Sequence, residues 1–243
     1  MRRAPAESPR RSRGIAALSG AALALCVTVA ARPAAAADAP ATPTTHAPEW
    51  SLWTGLRLGF ISFANSFYGG PASDTTGNWV HAGATGEVDV GARLAKRHVP
   101  YVFYEQGVGP PGRRLDGTGA IVTTRFFGLG VRYVALDPDT VGLVADVSIG
   151  WRTLAVYQGA QSCEMSGLET FRLGLGLEIR LATGFTISPL AYLSGGVMST
   201  TGGSVTFADG AQPPFANGQG ITVQRGYLVF GLGVGGHLDL FGK

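Results

Sequence analysis

The sequence predicts an all-β protein, an eight-stranded antiparallel up-and-down transmembrane β-barrel, and three observations support this fold class. Apolar and polar residues alternate with a period of two in eight segments, most clearly in FRLGLGLEIRLA at residues 171–182. This alternation indicates strands with one apolar face. The segments are long enough for tilted strands to cross a bilayer. Short and long connections alternate between them, which is typical of barrels whose two termini lie on the same side of a membrane.

The N-terminal segment has the features of a secretory signal peptide. Residues 1–37 contain six arginines and one glutamate, and an uncharged run at residues 15–31 is followed by alanines up to Ala37. A basic start, a short apolar run and a cleavage site of small residues define such signals. We therefore expect residues 1–37 to be removed on export. Residues 38–48 are expected to form a flexible leader, and residues 49–243 to form the barrel domain.

The charge and cysteine content exclude two other classes of protein. The formal net charge is +3, but without residues 1–37 there are 13 basic and 15 acidic residues. The basic balance of the whole chain therefore does not indicate a nucleic-acid partner, and we expect none. Cys163 is the single cysteine after residue 37, so no intramolecular disulfide is expected in the exported protein. Because Cys163 falls in a predicted loop, we expect an exposed free thiol.

The first four strands are predicted at residues 50–64, 84–94, 101–109 and 127–135. In the first, second and fourth of these segments, large apolar side chains occupy one face, while glycine and charged residues occupy the other. The third is aromatic and less regular around Glu105, where a β-bulge would shift the register.

The last four strands are predicted at residues 141–152, 171–182, 185–194 and 228–240. Each sets leucine, valine, isoleucine or phenylalanine against glycine, serine or charged residues. Pro189 falls on the apolar face of the seventh strand, although proline removes a donor from the ladder.

The connections between these strands alternate in length. Those after strands two, four and six are short, and the others are long and rich in residues that favour turns. Long loops on one side and short turns on the other indicate an even number of strands with both termini in the periplasm. The long loops are predicted at residues 65–83, 110–121, 159–167 and 201–226.

Alternation alone does not decide which face of a strand points inward. A soluble lipocalin-like barrel would enclose the apolar face and expose the polar face to water. Two features favour the opposite orientation. Large charged residues share the polar faces with glycines, which leave room for long arginines in a narrow interior. Lysine, which suits a solvated surface, occurs only as Lys96 and Lys243.

The polar faces predict a salt-bridged interior. An eight-stranded barrel encloses just enough space for side chains, and unpaired buried charges are costly. Equal numbers of arginines and carboxylates, joined by a histidine, therefore favour a plug over an open pore. Aromatic residues near strand ends, such as Trp53, Tyr101 and Tyr227, are expected to form two girdles at the level of the lipid headgroups. The predicted lumen network consists of Arg57, Glu87, Asp89, Arg93, Glu105, Arg132, Asp146, Arg152, Arg172, Glu178, Arg180, His237 and Asp239.

The signal peptide, the eight alternating strands and the four long loops together resemble the small OmpA/OmpX-type outer-membrane β-barrel proteins, over residues 50–243. The resemblance implies export through a cleaved signal peptide to the cell outer membrane, where the protein would be a monomer. It also implies contact with outer-membrane lipid and lipopolysaccharide, and insertion by the barrel-assembly machinery. Such barrels usually end in an aromatic residue, whereas here Phe241 is followed by Gly242 and Lys243.

The long loops suggest a structural or surface-binding role, such as adhesion to an extracellular ligand or host surface, without enzymatic activity. Loops on a rigid scaffold are where partners are usually contacted. The residues expected to be presented to the outside are Asn78, Trp79, Asp116, Phe207, Asp209 and Phe215.

Two other functions remain open at this stage. Glycine-lined gaps in the lumen would suit a narrow channel or conduit for ions or small hydrophobic solutes. A lipid A-modifying barrel enzyme would need a serine and a histidine at the outer rim. Only His81 lies on that side, and no serine accompanies it in a His-x-Ser pair. Four histidines and one cysteine lack metal-ligand spacing, so no cofactor and no metal are expected.

Overall fold

The structure is a computed structural model, which describes residues 45–69, 75–216, 221 and 223–243. The predicted signal peptide and the first seven residues of the predicted leader lie outside these residues. A short 3₁₀ helix at Thr76–Asn78 is present between the first two strands. The strands are β1 (Trp50–Asn65), β2 (Gly83–Leu94), β3 (His98–Gly109), β4 (Ile121–Leu136), β5 (Val141–Gln158), β6 (Gln161–Ala182), β7 (Phe185–Val197), β8 (Thr200–Ser204) and β9 (Gly226–Leu240).

Eight of the strands close into a ring. Consecutive strands from β1 to β7 pair antiparallel, β7 pairs with β9, and β9 pairs back onto β1. The predicted eight-stranded antiparallel up-and-down barrel is confirmed. We call the end that carries both chain ends and the short connections the turn end, and the opposite end the loop end.

The remaining strand, β8, belongs to an extension at the loop end. β8 pairs with residues 162–166 of β6 and lies outside the ring. On its other side β6 pairs with β5 up to Gln158↔Gln161, so only Gly159 and Ala160 connect the two strands. The predicted long loop at residues 159–167 is therefore wrong. Gly159 adopts a φ of 57°, which allows the tight turn. Both strands continue beyond the apolar belt, and there both faces carry polar residues, so the sequence pattern does not distinguish a strand from a loop.

The turn end includes the last residues of the predicted leader. The Thr45 hydroxyl donates to the backbone oxygen of Asp139 at 2.8 Å, and the Ala47 amide donates to an Asp139 carboxylate oxygen at 2.7 Å. The amide of Glu49 also donates to the backbone oxygen of Lys243 at 2.7 Å. Residues 45–48 are thus not the flexible segment that was expected. Asp139 is more than 90 residues away in the chain, so no local pattern reveals this contact.

The outer wall of the barrel is apolar. Alternate side chains of the strands point away from the ring, and Leu58, Phe127, Leu175 and Leu232 are each about 60% exposed. A continuous exposed apolar belt is unfavourable in water and matches the hydrocarbon of a bilayer. Among the residues that the structure describes, no helix is long and apolar enough to span a membrane.

Several aromatic rings point into the barrel instead of forming girdles. Trp53, Tyr101 and Tyr227 are buried, and the girdle positions predicted for them are wrong. A side chain at Gly130 would meet the ring of Tyr101 at 2.8 Å. Glycines on the inward faces therefore make the space that large rings occupy. Exposed aromatic residues such as Trp50 also lie near strand ends, so position near a strand end alone does not reveal which way a ring points.

Candidate functional site: the lumen and the loop end

Among the residues that the structure describes, six arginines, seven carboxylates and one histidine lie in the lumen, all less than 9% exposed. Each of the thirteen predicted lumen residues lies in this set. They form three groups, which follow one another from the turn end to the middle of the barrel and on toward the loop end.

The group at the turn end is a closed ring of four charges. Arg93 lies 2.9 Å from both Glu178 and Asp239, and Arg180 lies 3.1 Å from Asp239 and 3.5 Å from Glu178. The Ser51 hydroxyl donates to Asp239 at 2.6 Å. Each arginine therefore contacts both carboxylates, an arrangement that compensates charges held away from water.

The middle group combines one ion pair and one histidine–carboxylate contact with stacked rings. Arg132 Nε lies 3.1 Å from Asp146, and His237 Nε2 lies 3.3 Å from Asp89. The indole ring of Trp53 stacks on the imidazole of His237 with the ring centroids 4.4 Å apart. The guanidinium of Arg132 lies 4.9 Å from the centre of the same indole ring. Trp53 thus fills the lumen and contacts two members of the polar network.

The third group is a chain of alternating charges. Arg57 contacts Glu87, and Arg172 bridges Glu87 at 2.8 Å and Glu105 at 3.2 Å. Arg152 then lies 3.0 Å from Glu105. The chain crosses the lumen from Arg57 on β1 to Arg152 on β5.

Glu169, which the sequence analysis omitted, completes this chain by pairing with Arg152. The strict alternation of β6 would point residue 169 outward, because Arg172 points inward. The pairing of β6 with β7 contains an irregularity between Glu169 and Phe171, where one extra residue reverses the direction of the side chains. The inward-facing residues of β6 have odd numbers before Thr170 and even numbers after it. This change in the alternation is the signal that could have revealed Glu169.

An apolar layer closes the lumen at the loop end. Trp79, Phe207 and Phe215 are at most 2% exposed. The prediction that these three residues are presented to the outside is therefore wrong. The ring centroids of Trp79 and Phe207 are 5.1 Å apart, and those of Tyr68 and Phe215 are 5.3 Å apart. The loops fold inward because their aromatic side chains remove apolar area from water above the ring. We call this layer, together with the apolar residues packed below it, the loop-end cluster. Its other members include Phe67, Leu115, Val122, Leu154, Cys163, Met165, Met198, Val205 and Tyr227.

The remaining loop candidates stay at the surface. Asp116 and Asp209 are exposed, and Asn78 is half-buried. Asp209 lies 3.3 Å from Arg114, whose guanidinium stacks 3.8 Å from the centre of the Phe207 ring. The backbone amide of Ala211 donates to the Asp209 carboxylate and, as the largest cause, lowers its pKa below the usual range. The loop surface therefore carries fixed charges held over buried aromatic rings.

Cys163 belongs to the loop-end cluster. Its thiol is free, 1% exposed and points inward from the part of β6 that extends beyond the belt. Burial raises the pKa of this thiol to about 12. The predicted exposed thiol is thus wrong, because the segment that carries it is a strand and its inward face is covered by the loops.

The surface has cavities at the turn end and along the wall. One cavity of about 460 Å³ lies at the turn end beside His46, Lys96 and Lys243. A shallower groove of about 280 Å³ lies on the wall next to Phe171 and Gly195. Within the described ranges, no cluster of three or more histidine, cysteine or acidic side chains is arranged to hold a metal ion.

Solved structures of small outer-membrane barrels resemble this chain. Neisserial surface protein A matches over 79% of this chain and 99% of its own, with a TM-score of 0.54 and 8% identity. Ail of Yersinia pestis (77% and 98%, TM-score 0.40, 10% identity) and OprG of Pseudomonas aeruginosa (82% and 100%, TM-score 0.43, 12% identity) also match. No family model and no curated protein matches the sequence. The likeness to Neisserial surface protein A shows that the chain has the fold of a small outer-membrane β-barrel.

Proposed function

We propose that this chain is a closed outer-membrane barrel, without enzymatic activity, whose role is structural or surface-binding and is carried by its loop end. The apolar belt supports a membrane location, because its exposed side chains would be unfavourable in water. The fold shared with Neisserial surface protein A supports the outer membrane as that location. In this membrane the loop end faces outward and the turn end faces the periplasm.

The observation that carries the proposal is that buried charged groups and an apolar cluster follow one another along the lumen. Charged groups occupy it from Asp239 at the turn end to Glu169, and the loop-end cluster lies above them. A charged network needs its counter-charges in place, and an apolar layer excludes ions. The two layers therefore oppose conduction for different physical reasons, so loss of one leaves the other in place.

Planar-bilayer recording tests this closed state. Native protein is expected to give no steady single-channel current, and so is Trp79→Ala, because the charged network remains. A variant that combines Trp79→Ala with Arg172→Ala and Glu105→Ala is expected to conduct. Asp116→Asn is the matched control in an exposed loop. Folding of each variant is checked by circular dichroism, and a large steady current from the native protein would contradict the proposal.

The surface-binding role is assigned to the exposed tip at residues 208–212. This tip is exposed, while Phe207 on one side and Phe215 on the other are buried. Replacing residues 208–212 by a Gly/Ser sequence therefore changes the surface and retains the loop-end cluster. Bacteria that display this variant are expected to bind less to host cells or matrix, with unchanged detergent resistance of the envelope. If the tip, Asp116 and Asn78 can all be replaced without loss of binding, adhesion is excluded and the structural role remains.

The surroundings of His81 support the absence of enzymatic activity. His81 is exposed, and its backbone amide donates to Pro110 at 3.2 Å. Among the described residues, its imidazole makes no hydrogen bond to a serine or an acid of the kind that a hydrolase would need. Lipid A incubated with the protein is expected to remain unchanged by mass spectrometry.

A narrow ion conduit is the second candidate, and one feature of the lumen favours it. The hydroxyls of Ser148, Thr186, Ser188 and Ser194 are buried, and none of them has a hydrogen-bond partner within the described part of the chain. Thr186, Ser188 and Ser194 all lie on the inward face of β7. Such polar groups could accommodate water or small ions along the wall. The same recordings distinguish this candidate, because a hydrated path would give small but steady currents in the native protein.

A further inference from the structure

We propose that the outward-facing Arg125 on β4, together with Gln106 on β3 and Tyr157 on β5, binds the phosphate of an anionic lipid headgroup in the outer leaflet. This inference rests on the proposed membrane location and names a lipid contact at a defined site. It concerns the outside of the barrel wall, whereas the proposed closed lumen and adhesive tip lie elsewhere.

The register places these residues at the border of the apolar belt. Tyr104, Phe127 and Trp151 are directly paired across β3, β4 and β5, and they are 40%, 60% and 45% exposed. They form an outward aromatic row. Aromatic rows of this kind lie at the level of the lipid headgroups in membrane barrels.

The next outward row toward the loop end is polar. It consists of Gln106, Arg125 and Thr153, which are again paired across the same three strands. A row on a strand is two residues, or about 7 Å, beyond the previous one. Arg125 is thus located where hydrocarbon gives way to headgroups, on the side of the wall that faces lipid.

Within the described part of the chain, Arg125 contacts a hydroxyl and no carboxylate. Its guanidinium is exposed, and one of its terminal nitrogens donates to the Tyr157 hydroxyl at 2.9 Å. Among the described residues it makes no salt bridge. Glu164 on β6 is an acid on the same face. It pairs with Ala155 on β5, which pairs with Thr123 on β4, so Glu164 lies one row further from the belt than Arg125. Glu164 is therefore two strand spacings, or about 10 Å, from β4.

A lipid phosphate satisfies this site better than other anions would. An arginine in the centre of a lipid-facing wall is strongly unfavourable, whereas at the interface this cost nearly disappears. Guanidinium groups bind phosphate with two parallel charge-assisted hydrogen bonds. The guanidinium contacts Tyr157, which lies on the loop-end side of the Arg125 row. The phosphates within its reach in a membrane are therefore those of outer-leaflet headgroups.

Gln106 and Tyr157 provide further polar contacts. The Tyr104 hydroxyl donates to Gln106 Oε1 at 2.7 Å, and Gln106 Nε2 donates to the Gly107 carbonyl at 3.3 Å. The Gln106 oxygen is therefore occupied, and its amide group presents N–H donors. Tyr157 accepts from Arg125, so its own hydroxyl hydrogen is available. All three side chains offer donors, as an anion requires.

The experiment measures lipid retention on the full-length barrel by native mass spectrometry. The protein is inserted into vesicles that contain either bisphosphorylated lipid A or lipid A without phosphates, and it is then released. Native protein is expected to retain at least about tenfold more of the phosphorylated lipid, given the strength of charge-assisted pairs. Arg125→Gln and Gln106→Glu are expected to lose this preference, Arg125→Lys to keep part of it, and Arg113→Gln, in an exposed loop, to keep all of it.

Each alternative result has a defined meaning. If native protein retains both lipids equally, or if Arg125→Gln leaves the preference unchanged, the inference is overturned. Inorganic phosphate at millimolar concentration is expected not to displace the lipid, and displacement would instead indicate a site for free phosphate, which contradicts the lipid assignment. If the protein fails to insert into either vesicle, the proposed membrane location fails, which is distinguishable from loss of the phosphate preference in an inserted barrel.

Discussion

The ring of Tyr192 on β7 occupies the space that a side chain at Gly231 on β9 would need. The guanidinium of Arg172 lies 3.7 Å from the centre of the same ring, and the Tyr192 hydroxyl donates to Glu105 at 3.0 Å. The Tyr192 ring therefore connects a glycine position of the barrel wall to the charged network of the lumen. The stability of the wall and the closure of the lumen depend on the same contacts.

Replacing Gly231 by valine is expected to destabilise the barrel by about 1–3 kcal/mol, because overpacking forces the Tyr192 ring to move. Urea unfolding in lipid vesicles, followed by tryptophan fluorescence, measures this change. Gly202→Ala is the matched control, since a side chain there meets nothing within 4 Å. Adding Tyr192→Ala to the valine variant should relieve the clash. An unchanged unfolding midpoint for Gly231→Val would show that the ring does not fill this space.

Arg172→Met is expected to cost about 3–5 kcal/mol, the range for removing one partner of a buried ion pair. The change leaves Glu87 and Glu105 with one arginine each, Arg57 and Arg152. The same unfolding assay applies, with the exposed Arg225→Met as control. If both variants unfold at the same urea concentration, the chain of charges in the lumen does not contribute to stability.

Docking of residues 45–48 is expected to depend on pH through Asp139. The Ala47 amide donates to the Asp139 carboxylate and lowers its pKa below the ordinary value of 3.8. Because the folded-state pKa is lowered, the stabilisation is present above pH 3.8 and is lost as the pH falls through the lowered value. Hydrogen exchange of the Ala47 amide, corrected for intrinsic rates, should show protection at neutral pH that disappears in acid.

Asp139→Asn should lose most of this protection at every pH, whereas Asp116→Asn should not change it. Equal protection of the Ala47 amide in acid and at neutral pH would contradict the role of the Asp139 carboxylate.

The sequence revealed the strands whose two faces meet different environments, and it failed where that contrast ends. Residues 171–182 alternate because one face meets the apolar belt and the other the lumen. Beyond the belt, residues 161–167 have no such contrast of environments, so the sequence pattern predicts a loop where the structure has a strand. Trp79 and Phe215 come from loops that are distant in sequence, so their burial depends on tertiary packing. Glu169 was missed because a single irregularity reverses the side-chain direction, which an unbroken period of two does not anticipate.

Cys163 is expected to react slowly with maleimide in the folded barrel, because its thiol is buried and its pKa is raised to about 12. In a Cys26→Ser background, labelling should be at least about 100-fold slower than in urea-unfolded protein, since the thiolate is the reactive form. Trp79→Ala should accelerate it by opening the loop-end cluster. Ser162→Cys in a Cys163→Ser background is the matched control, as residue 162 is exposed on the same strand. Fast labelling of native Cys163 would show that the loops do not cover this face.

The orientation of the β6 side chains is the central claim, and a spin-label scan of this strand in vesicles tests it most directly. Single cysteines are introduced at successive residues from 166 to 179 in a background without Cys26 and Cys163, and collision with oxygen is measured for each. The account predicts high oxygen accessibility at Leu168, Leu173, Leu175 and Leu177, low accessibility at Glu169, Arg172, Gly174 and Glu178, and a change of phase across Thr170. High accessibility at Arg172 and Glu178 with low accessibility at Leu173 and Leu175 would contradict it.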